Sequence, residues 1–174
     1  KEARVLDGQS PYFLLFDHND TDKTALGYIV SNHLIRRALY ESLEDFANIR
    51  LITDVTAEVV STDTTGGSVR VSNGQTITAL LLVAADSRFS EVRRKMGISA
   101  AMNDFGRVVI VCRMKHDRPH DNIAYECFHY KRTLAVLPLG GNTSSVVVTL
   151  PADMSEALMA MDKNAFNTDI QHRF

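Results

Sequence analysis

The chain has 174 residues, 45% of them apolar, 23% charged and 7% aromatic, with 19 basic against 21 acidic side chains and a formal charge of −2. This is the composition of an ordinary globular domain able to bury a sizeable core, and a near-neutral chain without a basic block offers no electrostatic footprint for nucleic acid. The longest apolar run, Ala79 to Ala85, is too short to span a bilayer, and no charged-then-apolar leader opens the chain.

Two cysteines, Cys112 and Cys127, suffice for neither a disulfide framework nor a CxxC metal clip, which suggests a reducing compartment. Starting at Lys1 without methionine and stopping at Phe174 within a helical pattern, the chain reads as a piece of something larger.

In chain order, Tyr12 to Phe16 is an aromatic-rich strand closed by the polar loop Asp17 to Asp22. Its acidic spacing resembles a calcium loop but lacks the central glycine and the distal glutamate, leaving a solvated turn. After Gly27-Tyr28-Ile29-Val30, Asn32 is placed to cap a helix whose Leu34, Ile35, Ala38, Leu39 and Leu43 share one face. Ile49 to Leu51 reads as a strand, and Val55, Ala57 and Val59 alternate as a half-buried one does. Gly66-Gly67 predicts a turn, and Asn73-Gly74 between Val69, Val71 and Ile77 predicts a hairpin.

The segment Ile77 to Ala85 ends in a continuous apolar run, as in a strand buried on both faces of a sheet. It leads through Asp86-Ser87 into a short helix that reaches about Met96, with Arg93, Arg94 and Lys95 in its last turn and Gly97 as its stop. Four strands then follow at regular spacing, 108–114, 123–130, 134–139 and 145–150, and their short links predict an antiparallel meander. Asp153 and Glu156 form a capping pair for a helix carrying Met154, Leu158 and Met161, and Phe166, Ile170 and Phe174 recur at intervals of four.

Chemistry has three candidate seats. A side chain at Asp86, where an apolar strand meets a helix, is placed for a cofactor's hydroxyls or phosphates, or simply caps that helix. Asn32, His33 and Arg36 present donors to an anion, or form a solvated helix face. Tyr125, Phe128, Leu137 and Pro138 either line a cavity for an aromatic or lipid-like molecule or pack as core. Pro119 between His116 and His120 argues against a helical metal pair, and neither a GxSxG elbow nor a phosphate loop is present. Residue types alone thus reach an α+β or α/β piece.

Two segments together narrow this. Ala84-Ala85-Asp86-Ser87-Arg88-Phe89-Ser90-Glu91-Val92-Arg93 resembles the G-A-D-G-x-x-S-x-V-R motif of the flavin-dependent aromatic hydroxylases, the p-hydroxybenzoate hydroxylase superfamily. Gly27-Tyr28-Ile29-Val30-Ser31-Asn32, followed by Arg36-Arg37-Ala38-Leu39, is similar to the G-Y-V-V-E-N stretch of its ubiquinone-biosynthesis branch. Arg118-Pro119-His120, Ala124-Tyr125-Glu126-x-Phe128 and Leu134 to Leu139 continue the likeness in the same order. Ala84 and Ser87 replace the motif's two glycines, so a backbone position suited to glycine carries a side chain.

The resemblance implies a mixed or antiparallel β-sheet substrate domain, 1–26 and 103–174, beside part of a Rossmann-like FAD-binding domain, 27–98. It further implies an FAD-dependent monooxygenase that uses NAD(P)H to hydroxylate a polyprenylated phenol in ubiquinone biosynthesis. The parent is expected in the cytoplasm, with peripheral contact at the inner membrane and a homodimer or biosynthetic complex left open. Asn32, Arg36, Asp86 and Ser87 would position the cofactor; Tyr125, Phe128 and Leu137 would wall the substrate, with no acid, base or metal ligand assigned. Because the G-x-G-x-x-G turn and the later Gly-Asp motif of such enzymes are absent from the chain, the piece alone is expected to lack bound FAD. The alternatives are a non-catalytic β-sheet interaction module and a flavin hydroxylase of a soluble phenol.

Overall fold

A computed structural model describes residues 1–129 and 131–174. Its strands are β1 (Glu2–Asp7), β2 (Phe13–Asp17), β3 (Ala57–Asp63), β4 (Gly66–Val71), β5 (Thr76–Ala79), β6 (Arg107–Lys115), β7 (Ile123–His129), β8 (Arg132–Pro138) and β9 (Thr143–Pro151). Its α-helices are α1 (Asn32–Ser42), α2 (Glu91–Lys95), α3 (Ser155–Met159) and α4 (Lys163–Arg173). Internal packing divides the chain into one unit of Lys1–Arg36 with Asp104–Phe174, and a second of Arg37–Asn103.

The first unit is built on a six-stranded sheet in the order β2-β1-β7-β8-β9-β6, antiparallel except where β1 runs parallel to β7. Strands β7, β8 and β9 form the expected meander, but β6 crosses to the far edge and pairs along its whole length with β9, from Arg107 opposite Pro151 to Lys115 opposite Thr143. The reason lies in side-chain alternation: pairing with β9 aligns Val108, Ile110 and Cys112 with Leu150, Val148 and Val146. The strand expected over 123–130 is observed over Ile123–His129, and Tyr130 lies outside the described residues.

Burial alternates strictly along β9, where Ser144, Val146, Val148 and Leu150 are buried. These residues, with Cys127 and Leu134, meet Leu158 of α3 and Ile170 of α4, and Phe166 packs at their margin. The expected capping pair does not form: Met154 stands at the N-cap of α3 without a side-chain bond, and Ser155 Oγ instead donates to the Ala152 carbonyl at 2.7 Å. Asp162 does cap α4, accepting from the N–H groups of Asn164 and Ala165, both at 2.8 Å.

Helix α4 is also tied to the sheet by charge. Arg132 Nη1 donates to Asp169 Oδ2 at 2.5 Å with the arginine side chain only 7% exposed, and Arg173 Nε reaches Asp169 Oδ1 at 3.1 Å. His129 Nε2 donates to the Arg173 carbonyl at 2.8 Å.

The second unit holds the antiparallel sheet β3-β4-β5. The Asn73-Gly74 hairpin forms as predicted, with Val71 N–H bonded to the Gln75 carbonyl at 2.9 Å and Gly74 at φ +85°. Gly66 and Gly67 lie within β4 rather than in the turn, which Asp63 makes by accepting from the Thr65 and Gly66 N–H groups. Glycine is required there because a Cβ on Gly66 would sit 2.3 Å from the Ala79 carbonyl oxygen. The alternation of Val55, Ala57 and Val59 is broken by a register shift between Ala57 and Val59, which leaves Val59 exposed and Val60 half-buried. Ile49 to Leu51 pairs with no strand among the described residues.

The expected doubly buried strand is the main departure. The ladder ends at Ala79, and Leu80, Leu81 and Val83 are 92%, 76% and 73% exposed. Burial on both faces needs flanking strands and covering helices, and the described residues supply neither to this run. Likewise Leu34, Ile35 and Leu39 on α1 are exposed. Val71 and Ser90 are the only buried side chains among the described residues of this unit.

Two substitutions check this account of the core. Leu134→Ala, at a fully buried site, should lower the unfolding free energy by about 2–5 kcal/mol in a denaturant titration. Asp169→Ala strands the buried Arg132 cation and should lower it by about 3–5 kcal/mol, whereas Arg37→Ala, on an exposed helical pair with Glu41, should change it by less than about 0.5 kcal/mol.

Candidate functional site

In the second unit, the turn joining the apolar run to α2 is held by the Asp86 carboxylate. Oδ1 accepts from the Ser90 hydroxyl, and Oδ2 accepts from the Val92 N–H at 3.1 Å. Ser90 is itself the N-cap, its Oγ accepting from Arg93 N–H at 2.9 Å. The sequence offered Asp86 as the cap; the structure makes it the brace of the residue that caps. The Ser90 hydroxyl and then the Val92 N–H hold the Asp86 carboxyl below the usual carboxylate range. Gly97 ends the helix in the left-handed region at φ +69°, with Ile98 N–H returning to the Arg93 carbonyl at 3.1 Å. Lys95 Nζ reaches the Ala57 and Glu58 carbonyls at 3.3 and 3.2 Å, which ties α2 to β3.

Ser87 adopts φ +114°, a conformation that favours glycine. This is the position where the resembled motif carries its second glycine. The serine therefore retains the backbone bend that glycine would permit, at a conformational cost of order 1–3 kcal/mol.

At the other candidate anion seat, the Ser31 carbonyl accepts from both Leu34 and Ile35 N–H groups, so Ser31 is the cap of α1 and Asn32 its first helical residue. Asn32 and Arg36 lie one turn apart on this helix, in the first unit, whereas Asp86 and Ser87 belong to the second. Arg37 is held by Glu41 at 2.7 Å, while Arg36 makes no ion pair or hydrogen bond among the described residues.

The three substrate-wall candidates fall on two faces of the large sheet. Tyr125 shares the helix-covered face with Cys127, packing edge-on against Phe174 with ring centroids 4.9 Å apart and beneath the Arg4 guanidinium at 5.9 Å. Phe128 and Leu137 share the opposite, open face. Phe128 is paired with Thr133, so Leu137 lies about four residues, roughly 13 Å, further along β8. The same alternation places Glu126 between them on that face, a residue for which sequence reasoning assigned no role although the pattern Tyr125-Glu126-Cys127-Phe128 contains the signal.

Within the first unit an open groove of about 840 Å³ runs between the segment Gly27 to Ser31 and the end of the β8–β9 hairpin. Ala25, Tyr28, Ile29, Val30, Leu34, Pro138 and Leu139 give it apolar walls, and Arg113 supplies a cation.

The histidines are structural. His120 Nε2 donates to the Leu139 carbonyl at 2.7 Å while its Nδ1 accepts from Asn122 N–H at 3.0 Å, and His116 Nε2 meets the buried Ser144 hydroxyl at 3.1 Å. They are half-buried rather than exposed, because they anchor the β6–β7 loop to the β8–β9 hairpin. Cys112 and Cys127 are free thiols whose burial pushes their pKa values up, which makes them inert packing residues. No helix among the described residues is long and apolar enough to cross a membrane.

Comparison with known proteins places this geometry among relatives. No protein-family model matches the chain. It is 44% identical over 157 residues, 88% of its length, to a protein named ubiquinone hydroxylase UbiM from Neisseria meningitidis, and 34% identical over 173 residues, 99% of its length, to one named ubiquinone hydroxylase UbiL from Rhodospirillum rubrum. The chain spans 34% and 40% of the length of these relatives. Among solved structures, a probable FAD-dependent monooxygenase from Pseudomonas aeruginosa, PqsL, superposes with a TM-score of 0.76 over 91% of this chain and 44% of its own, at 20% identity, which is a likeness of fold. The chain is thus homologous to part of the ubiquinone hydroxylases, as the order of its motifs implied, and its mixed α+β architecture is that of FAD-dependent monooxygenase structures.

The geometry of the turn has two measurable consequences. Ser87→Gly should raise the unfolding free energy by about 1 kcal/mol, read from a denaturant midpoint, by relieving the left-handed backbone. Carbon-detected NMR titration should find the Asp86 carboxyl titrating below the usual aspartate range. Because its folded pKa is the lower one, the brace is complete above the unfolded value and is lost as pH falls through the folded one.

Proposed function

We propose that the protein to which this chain belongs is an FAD-dependent, NAD(P)H-consuming hydroxylase that oxygenates the ring of a polyprenylated phenol on the way to ubiquinone. The homology to proteins named ubiquinone hydroxylases carries this reading. Nothing in the comparisons supports the non-catalytic module weighed from the sequence.

The residues of the turn fit such a cofactor in one respect that can be checked. Ser87 keeps the bend that the glycine of the motif would make, and Asp86 braces it through Ser90 and Val92. In this reading Asp86 and Ser87 of the second unit hold backbone in place for FAD; Asn32 and Arg36, on the first unit, present an amide and a guanidinium that makes no ion pair or hydrogen bond among the described residues. The flavin supplies the redox and oxygen chemistry, and the protein supplies binding, orientation and a water-poor setting.

On the substrate side, Phe128 and Leu137 provide apolar surface on the open sheet face. The groove of about 840 Å³ flanked by Tyr28, Ile29, Val30 and Leu139 provides an apolar bed that suits isoprenoid units, which favours a prenylated phenol over a soluble one. Tyr125, on the opposite face, supports the wall from behind through its contact with Phe174. A cytoplasmic protein that visits the inner-membrane surface to collect its apolar substrate, alone or within a biosynthetic assembly, follows from that chemistry.

The test uses the full-length protein. It should purify yellow and consume NAD(P)H faster when a prenylated phenol is added, and Asp86→Ala should lower FAD retention much more than it lowers Tm. A colourless protein that takes up no FAD overturns the reading, and equal losses of FAD and Tm would leave Asp86 with a capping role alone.

A further inference from the structure

The open face of the large sheet is apolar across its four central strands, apart from neutral hydroxyls and two carboxylates, Glu126 and the exposed Asp7 at the end of β1 opposite Phe128. Glu126 on β7 is paired with Val5 of β1 on one side and Ala135 of β8 on the other. Along its own strand the neighbours on that face are Ala124 and Phe128, and Leu137 and Val147 lie on the strands beyond. β6, β8 and β9 contain no acidic residue. The cations of this face, Arg107, Arg113 and Lys115, belong to β6, three strands away or roughly 14 Å.

Glu126 is half-buried, yet it makes no ion pair or hydrogen bond among the described residues. A carboxylate set among apolar side chains loses hydration without compensation, so an unpartnered one is costly to keep unless something donates to it. An ionised carboxylate is acceptor-only, and its complement is therefore a group that brings a hydrogen on an otherwise apolar body. A phenol is such a group: its ring suits a floor of Ala, Val, Leu and Phe, and its hydroxyl is a single donor at the rim.

We infer that Glu126 is a positioning residue that accepts the hydrogen bond of the substrate's phenolic hydroxyl and so orients the ring on the open sheet face. This deepens the proposed function and rests on it. A hydrogen bond from the phenol to a carboxylate also leaves more electron density on the ring, most at the ortho and para carbons, which suits a ring that is to accept oxygen. Hydrogen bonds to charged groups are the stronger ones, so loss of this one should weaken binding by about tenfold or more.

The experiment compares wild type with Glu126→Leu and Glu126→Gln in the full-length, FAD-loaded protein. The probes are 2-prenylphenol and its methyl ether, which has the same shape but no donor. Calorimetric dissociation constants should show wild type preferring the phenol by about tenfold or more. Glu126→Leu should erase that preference while FAD content and Tm stay at wild-type values, because leucine suits the apolar floor. Glu126→Gln, which retains an acceptor, should restore part of it. The inference is overturned if Glu126→Leu keeps the wild-type preference, or if FAD content and Tm fall with it, since Glu126 would then serve a structural partner. A wild type that holds no flavin and binds neither probe fails differently: it refutes the hydroxylase reading itself, and the role of Glu126 falls with it.

Discussion

The two-faced character of the six-stranded sheet is the constraint on which the rest depends. Successive side chains of a strand point to opposite faces, so a pattern in which every second residue of β9 is buried commits the whole ladder. Leu134, Val146, Val148 and Leu150 must face α3 and α4, and their neighbours must then face away. A slip of one residue would drive Thr149 and Ser145 into the helices and turn the core valines to the open side. That same commitment places Phe128, Leu137 and Glu126 together on the uncovered face and removes Tyr125 from it. Which side chains share the uncovered face is thus a by-product of core packing.

The second unit follows a different rule. It buries few side chains, and its order rests on local hydrogen bonds: the Asp63 turn, the Asn73-Gly74 hairpin and the Asp86–Ser90–Val92 brace. These satisfy backbone donors within a few residues of one another and need no deep core. The apolar run beyond Ala79 is what such a unit leaves uncovered.

Ser87 shows how a motif survives the loss of its signature residue. The resembled pattern has glycine, which tolerates a positive φ at little cost; here serine takes a positive φ, and the Asp86 bonds to Ser90 and Val92 lie immediately downstream. At this position the departure from the motif carries backbone strain. Asp86 and Ser90 reinforce this: the residue that sequence reasoning weighed as a helix cap turns out to hold the cap, a two-step arrangement that a reading of one position at a time does not contain.

Much of the architecture was legible in the residues: the Asn73-Gly74 hairpin, five of the six strands of the large sheet (all but β1), the stop at Gly97 and the order of family motifs from Gly27 to Leu139. These rest on local chemistry, such as turn residues that tolerate positive φ and apolar alternation at a period of two. What tertiary structure alone decided was which strands become neighbours and which face is covered. β6 lies beside β9 instead of β7, Leu80, Leu81 and Val83 are left in solvent, and Tyr125 and Phe128 look in opposite directions. Burial depends on partners distant in the chain, and an apolar run carries no label saying whether such partners are at hand.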